Sequence, residues 1–291
     1  MAAVLRQTSE KPRRNGSKRK RSLNDERGED SSTAKKTATE PAKRHPETDG
    51  DVDESIRHMD PGLLADHISK KIKRSFRDLS AVELGDKYLS QRIFSDTTNF
   101  DAPRSLQSLP LFLEHISNSK EDLSISGEDP GSPHTIVVAA SGLRAADVTR
   151  SKASGAHCRP NADIVTRSLR IYQSPDSAVA KLFAKHIKMP EAVDYVKRTK
   201  YVHSLGLARL MPLRIGIGIG TPQRLLDLLE KDVLKTKKLK RIVIDGSHLD
   251  QKKRSVFDMK ELLDPLIKLL SRRPIKERLD AEGRRCSVYV F

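Results

Sequence analysis

Three short apolar runs constrain this chain more than any other feature. Thr135–Ala140 (TIVVAA) is continuous and β-branched, Leu213–Gly220 (LRIGIGIG) alternates Ile with Gly, and Leu239–Ile244 (LKRIVI) returns to the β-branched pattern. A run without polar alternation reads as a strand covered on both faces, which is the environment of a parallel sheet. Each run is followed by small or polar residues and then by residues with helical spacing, and Ser287–Phe291 (SVYVF) supplies a further strand. Strands alternating with helices imply βαβ units. The expected fold class is therefore α/β: a mostly parallel sheet with helices on both faces. Ala178–Ile187 (AVAKLFAKHI) suits a strand or a short helix equally well.

The helices announce themselves by their ends. Asp60-Pro61 combines an N-cap acid with a first-turn proline, ahead of Leu63, Leu64, His67, Ile68, Ile72 and Phe76 at helical spacing. Val82, Leu84, Tyr88 and Leu89 mark a second amphipathic piece, and Leu109–Ile116 a third. Further helical stretches are expected from Leu143 to about Arg150, at Ser168–Ile171, after Pro190, at Gln223–Leu229 with Thr221 as N-cap, and at Val256–Leu270. Ser151–Asn161 is small and polar and reads as a surface insertion.

Residues 1–58 differ in kind. They are polar, charged and nearly free of aromatics, so they bury too little apolar surface to offset chain entropy and read as a disordered tail. The expected organisation is thus a tail, 1–58, and one folded domain, 59–291. Lys11–Arg21 (KPRRNGSKRKR) holds seven basic residues and no acidic one. Such a run, Lys18, Arg19, Lys20 and Arg21 in particular, suits a nuclear import receptor or a phosphate backbone.

The net charge is +16, from 55 Lys+Arg and 39 Asp+Glu. Only +3 of it lies in residues 1–58 and +13 in the remainder. A basic body argues for a polyanion-binding surface, with nucleic acid the commonest polyanion. Two cysteines, Cys158 and Cys286, form no disulfide framework and no metal motif. No apolar stretch approaches the length needed to span a bilayer, which predicts a soluble intracellular protein with no membrane role.

In open parallel sheets chemistry gathers at the carboxyl ends of strands. Three ends stand out: Ser141-Gly142-Leu143-Arg144, Gly220-Thr221-Pro222-Gln223-Arg224 and Asp245-Gly246-Ser247-His248. In order and spacing they resemble the first RecA-like domain of DEAD-box helicases. Gly220–Arg224 matches the G-T-P-x-R motif, which in that family binds RNA backbone. Asp245–His248 stands at the D-E-A-D position, and Ser141–Ala145 where the family has P-T-R-E-L. The resemblance implies a single RecA-like domain.

The departures from that pattern carry more weight. A nucleoside triphosphatase of this type needs a Gly-rich loop ending in Gly-Lys and a hydroxyl residue, and this chain contains no Gly-Lys pair. Only the first carboxylate, Asp245, persists at the D-E-A-D position, and the next residue is Gly246. The length leaves no room for the second RecA-like domain. The expectation is a pseudo-helicase with no catalytic residue, cofactor, metal or small-molecule substrate. Gly216–Gly220 is G-x-G-x-G rather than the dinucleotide fingerprint, and close backbone packing explains it more simply. His186 has no nucleophile or orienting group near it in sequence.

Val179–Lys188 (VAKLFAKHIK), the GxGTPxR segment and the degenerate Asp245 region together resemble the Cms family of pre-ribosomal proteins. That resemblance covers roughly residues 60–291, with extra residues near 151–165 and 204–213. It implies an assembly factor for the small ribosomal subunit, in the 90S pre-ribosome or small-subunit processome of the nucleolus. The expected partners are pre-ribosomal RNA and assembly proteins in a large ribonucleoprotein. Contacts to RNA backbone or partner are expected at Ser141, Gly142, Arg144, Lys181, Lys185, Lys188, Gly220, Thr221, Gln223 and Arg224. Two other functions fit the residues: an enzyme with a rebuilt phosphate site, and a scaffold that touches only proteins.

Overall fold

A computed structural model describes residues 51–117, 119–127, 129–149, 169–175, 177–183, 188–197, 199–204, 207–212, 214–281, 283 and 286–291. In chain order its elements are α1 (Pro61–Ser75), α2 (Ala81–Lys87), α3 (Leu109–Ile116), α4 (Lys120–Ser124), β1 (Thr135–Val138), α5 (Gly142–Thr149), β2 (Ala178–Lys181), α6 (Met189–Lys197), β3 (Thr199–Ser204) and β4 (Leu207–Pro212). They continue with β5 (Ile215–Gly220), α7 (Pro222–Glu230), β6 (Arg241–Ile244), α8 (Lys260–Ser271), α9 (Arg273–Leu279) and β7 (Ser287–Val290).

The three apolar runs become the centre of a five-stranded sheet in the order β2-β5-β1-β6-β7. Every pairing in it is parallel. Period-two alternation divides the strand residues between two cores. Ile136, Val138, Ile242, Ile244, Val288 and Val290 face one side, with α1, α7, α8 and α9 packed there. Val137, Val243, Ile217 and Ile219 face the other, against α3, α5 and the 3-10 turn Leu169–Tyr172. The α/β class with a parallel sheet covered on both faces is the architecture observed.

The alternation of Ile and Gly in β5 has a steric cause. A Cβ on Gly218 would lie 2.9 Å from Leu182 Cδ1, just beyond β2. A Cβ on Gly220 would lie 2.9 Å from the Leu182 carbonyl oxygen. Leucine from the neighbouring strand end fills the space that side chains on β5 would occupy.

The helix start at Asp60 is as expected: its carboxylate accepts from the backbone N–H groups of Gly62 (2.7 Å) and Leu63 (2.9 Å). Elsewhere the elements shift. Ala178–Lys181 resolves to strand, and residues 184–187 lie outside the described residues, as do 151–161 and the basic run 11–21. The expected helix from Val256 starts at Lys260, because Ser255 and Asp258 first close a turn that buries Val256 and Phe257. The antiparallel hairpin β3–β4 and helix α9 were not expected.

The boundary at residue 58 is too late. Asp53–His58 already belong to the folded body: Asp53 caps a 3-10 turn through Ser55, and Ile56 is buried in the core. Val52 forms an antiparallel bridge with His248. Backbone pairing and one apolar side chain suffice to hold a segment whose composition is otherwise that of the tail.

Candidate functional site at the carboxyl ends of the strands

The register Val138↔Gly220 and Val138↔Ile244 brings the ends of β1, β5 and β6 level. Adjacent strands lie about 4.8 Å apart, so the three loops singled out by sequence form one continuous edge.

Arg144 and Asp245 meet there. Arg144 sits in the first turn of α5, its backbone N–H donating to Ser141 Oγ at 3.1 Å. Its Nε donates to Asp245 Oδ2 at 2.7 Å and its Nη2 to Asp245 Oδ1 at 3.3 Å. Arg144 is 5% exposed and Asp245 fully buried. Two donors on two oxygens match the fork geometry that makes such pairs directional. The pair ties the loop after β1 to the loop after β6. It also turns inward the guanidinium expected to meet RNA, and it engages the Asp245 carboxylate on both oxygens. The expectation for Arg144 is corrected accordingly: its charge faces Asp245.

Gly246 is closed off sterically. A Cβ there would lie 2.6 Å from Val290 Cγ1 and 2.7 Å from Phe257 Cε2, closer than real Cβ atoms come. An acidic side chain at 246 therefore needs a repacked core. The backbone of the loop is engaged as well. The N–H groups of Gly246 and Ser247 each reach the Phe291 carbonyl at 2.9 Å. The Asp53 N–H donates to the Ser247 carbonyl at 2.7 Å, and the Leu249 N–H to the Asp51 carbonyl at 2.9 Å. The segment before α1 thus lies along the loop that follows β6. Nothing in the apolar periodicity of the chain marks this pairing, because backbone hydrogen bonds have no side-chain signature.

The Thr221–Arg224 end is also mostly inward. Thr221 occupies the N-cap position of α7, but its side chain makes no cap hydrogen bond. Arg224 is 7% exposed, with Nη1 3.3 Å from Met189 Sδ at the start of α6. Gln223 is exposed and donates to Asp227 Oδ1 at 2.6 Å. Of the expected contact residues, Ser141, Lys188 and Gln223 are exposed; Gly142, Lys181 and Thr221 are half-buried; Arg144, Gly220 and Arg224 are buried. Lys185 lies outside the described residues, as do Lys18, Arg19, Lys20 and Arg21.

At the opposite ends of the same strands lies a second polar cluster. Asp122 accepts from Lys240 Nζ at 2.8 Å and pairs with Arg241. Burial alone would raise the Asp122 pKa, but the hydrogen bonds from Lys240 and Arg241 outweigh it and hold the carboxyl down at about 2. His134 is buried, with Nδ1 2.8 Å from Thr135 Oγ1, and burial, followed by the Arg241 charge, pushes its pKa down to about 4. Burial raises the Cys286 thiol to about 12, which makes it a poor nucleophile. Among the described residues no group of three or more His, Cys, Asp or Glu side chains is placed to hold a metal ion, and no helix is long and apolar enough to cross a membrane.

Comparison with known proteins agrees with one family over nearly the whole chain. The profile of CMS1, described as a U3-containing 90S pre-ribosomal complex subunit, matches residues 4–290. Protein CMS1 of Chaetomium thermophilum is 39% identical over 277 residues, 94% of this chain and 96% of that protein. Protein cms1 of Schizosaccharomyces pombe is 28% identical over 79% of this chain and 70% of its own length. Among solved structures, a chain from an S. cerevisiae Dbp5 complex overlaps at 14% identity with a TM-score of 0.32, covering 76% of this chain and 45% of that one.

Proposed function

The chain belongs to the CMS1 family of 90S pre-ribosomal complex subunits, and on that premise we propose that it works in ribosome biogenesis as a non-catalytic assembly factor of the small subunit. In this reading it contacts pre-ribosomal RNA and assembly proteins within a large ribonucleoprotein, in the nucleus and nucleolus. Its α/β body is a docking module, and the basic run in its tail serves import and loose RNA contact.

The observation that carries the reading is the Arg144–Asp245 pair at the strand ends. A phosphoryl-transfer centre needs a carboxylate free to hold Mg²⁺ and a second group to position the nucleophile. Here Asp245 is fully buried against a guanidinium, and position 246 has no room for a side chain. A site locked from inside supports a binding role for the surface around it. The exposed residues Ser141, Lys188 and Gln223 remain available on that edge for RNA or a partner protein.

Gradient sedimentation of nuclear extract tests the assembly role. The protein should travel with particles of 90S size, and U3 RNA should be recovered with it. Recovery solely among free proteins at the top of the gradient would sink the reading. Thermal unfolding with ATP or NADH tests the non-catalytic part. A ligand at about 100 times its Kd adds about 2.7 kcal/mol of stability, so an unchanged melting temperature is expected. A clear rise would restore the alternative of a rebuilt nucleotide site.

A further inference from the structure

We infer that the RNA-facing surface of the body is a basic ridge on α1 and the groove beside it, rather than the helicase-like strand ends. This rests on the proposed RNA-binding role and names the surface that performs it.

The ridge is a consequence of helical periodicity. Leu64, Ile68 and Ile72 recur every four residues along α1 and are buried in the core. Lys70, Lys73, Arg74 and Arg77 follow the i, i+3, i+4, i+7 pattern and are all exposed. Residues at that spacing share one face of a helix, and here it is the face turned away from the core. Arg77 lies past the helix end, in the turn that follows Phe76.

None of these four side chains makes an ion pair or hydrogen bond among the described residues. Several other surface cations are paired. Lys87 and Lys268 share Asp264, Arg254 is paired with Asp250, Arg272 with Glu230, and Arg273 with Glu277. The helix dipole favours cations in the last turn, which accounts for Lys73 and Arg74 but not for Lys70 or Arg77.

A groove of about 410 Å³ runs beside the ridge. Its walls carry Lys71 and Arg74 from α1, and Arg254, Asp258, Lys260 and Glu261 from the loop after β6 and the start of α8. Asp258 is already paired with Lys71 and receives two hydrogen bonds from Ser255. Lys260 Nζ stands 5.1 Å from the centroid of the Phe76 ring. The loop that builds this wall is the continuation of Asp245–His248, so the groove opens on the carboxyl-end side of the sheet, where open α/β folds receive ligands.

The chemistry that fits is a phosphodiester backbone. Between Lys70 and Arg74 the helix advances about 6 Å, a distance over which a duplex presents roughly three to four phosphate charges. Exposed, unpaired cations on a rigid helix are the sequence-independent component of nucleic-acid affinity. A protein partner would be anchored by aromatic or aliphatic side chains in a pocket, whereas Met259 is the one apolar side chain lining this groove.

The test uses the full chain and a fluorescein-labelled RNA duplex of about 20 base pairs, titrated by anisotropy between roughly 50 and 200 mM salt. The variant Lys70→Gln, Lys73→Gln, Arg74→Gln, Arg77→Gln leaves the tail untouched. It should lower the slope of log K against log salt by about 3 to 4 and weaken binding at low salt by at least about 10-fold. A melting temperature close to the parent's checks that it folds. The paired variant Lys231→Gln, Lys235→Gln, at exposed positions just after α7, should leave slope and affinity near the parent's. If the parent binds and the ridge variant binds equally well, the ridge is overturned while the RNA-binding role stands. If the parent fails to bind RNA but the ridge variant is lost from 90S-size particles, the ridge contacts a protein and both the RNA role and this inference fall.

Discussion

Two sets of basic residues can be set side by side. At the strand ends, Arg144 and Arg224 stand in segments that sequence singles out, and they are 5% and 7% exposed. On α1, Lys70, Lys73, Arg74 and Arg77 occupy no motif and are exposed. A motif records where a residue stands along the chain, whereas availability to a polyanion depends on which neighbours receive its charge. Arg144 is engaged by Asp245 at the end of the neighbouring strand, and Arg224 lies beside Met189. The ridge has a core behind it and, among the described residues, no carboxylate paired with it.

The largest expected effect breaks the first half of this comparison. Arg144→Met strands a buried carboxylate, and removing one partner of a buried pair costs about 3–5 kcal/mol. Urea unfolding of the variant should show a loss of that size. The double variant Arg144→Met, Asp245→Leu should recover much of it, because an apolar pair of similar volume removes the uncompensated charge. An unaffected single variant means that the strand ends are open and that Arg144 is free to meet RNA after all.

The next effect concerns the amino ends of the same strands. The folded-state pKa of His134 is depressed, from 6.5 to about 4. Below its ordinary pKa the unfolded chain takes up a proton that the folded chain refuses. The stability tied to neutral His134 is complete above about pH 6.5 and is lost as the pH falls toward 4, amounting to about 3 kcal/mol. Asp122, held down to about 2, adds a loss at lower pH, between about 4 and 2. Denaturation midpoints at several pH values should fall across the first window. His134→Asn should flatten the fall there and leave the acid-side loss from Asp122. A flat profile in the parent would show that His134 is hydrated.

Gly246→Ala is a smaller perturbation of the closed site. Overpacking costs about 1–3 kcal/mol, and Val290 and Phe257 are the atoms that must move. Thermal unfolding reads it directly, and a neutral result would mean that position 246 has room for a side chain. The smallest effect belongs to the ridge. Lys70→Gln alone should change stability by less than about 0.5 kcal/mol, while lowering the salt slope of RNA binding by about 0.9. A larger loss of stability would mark Lys70 as a structural cation and weaken the contrast with Arg144.

Much of the fold is legible in the residues. The runs Thr135–Ala140, Leu213–Gly220 and Leu239–Ile244 contain β1, β5 and β6 because burial on both faces leaves no polar alternation. Asp60-Pro61 predicts the start of α1 because an N-cap works through bonds two and three residues away. The hairpin Thr199–Pro212 is harder to read. Its strands, TKYVHS and LARLMP, carry charged and polar residues among the apolar ones and pair with each other outside the main sheet. The segment Asp51–His58 has the composition of a tail, yet backbone pairing to Ser247, His248 and Leu249 makes it part of the body. The polar stripe on α1 is visible in the same periodicity as its apolar stripe, and its meaning emerges only when the neighbours of each cation are known.

What the sequence alone determined is the class of fold, the order of the three strand-end segments and the pairing of Asp245 with a glycine as its next residue, since each depends on local pattern or on residue identity. What the tertiary structure decided is the direction in which the charges point. Arg144 and Asp245 are 101 residues apart, and the loop after β6 meets a segment nearly 200 residues before it. Such encounters follow from the closing of a parallel sheet, and at that scale burial decides whether a cation is a strut or a surface.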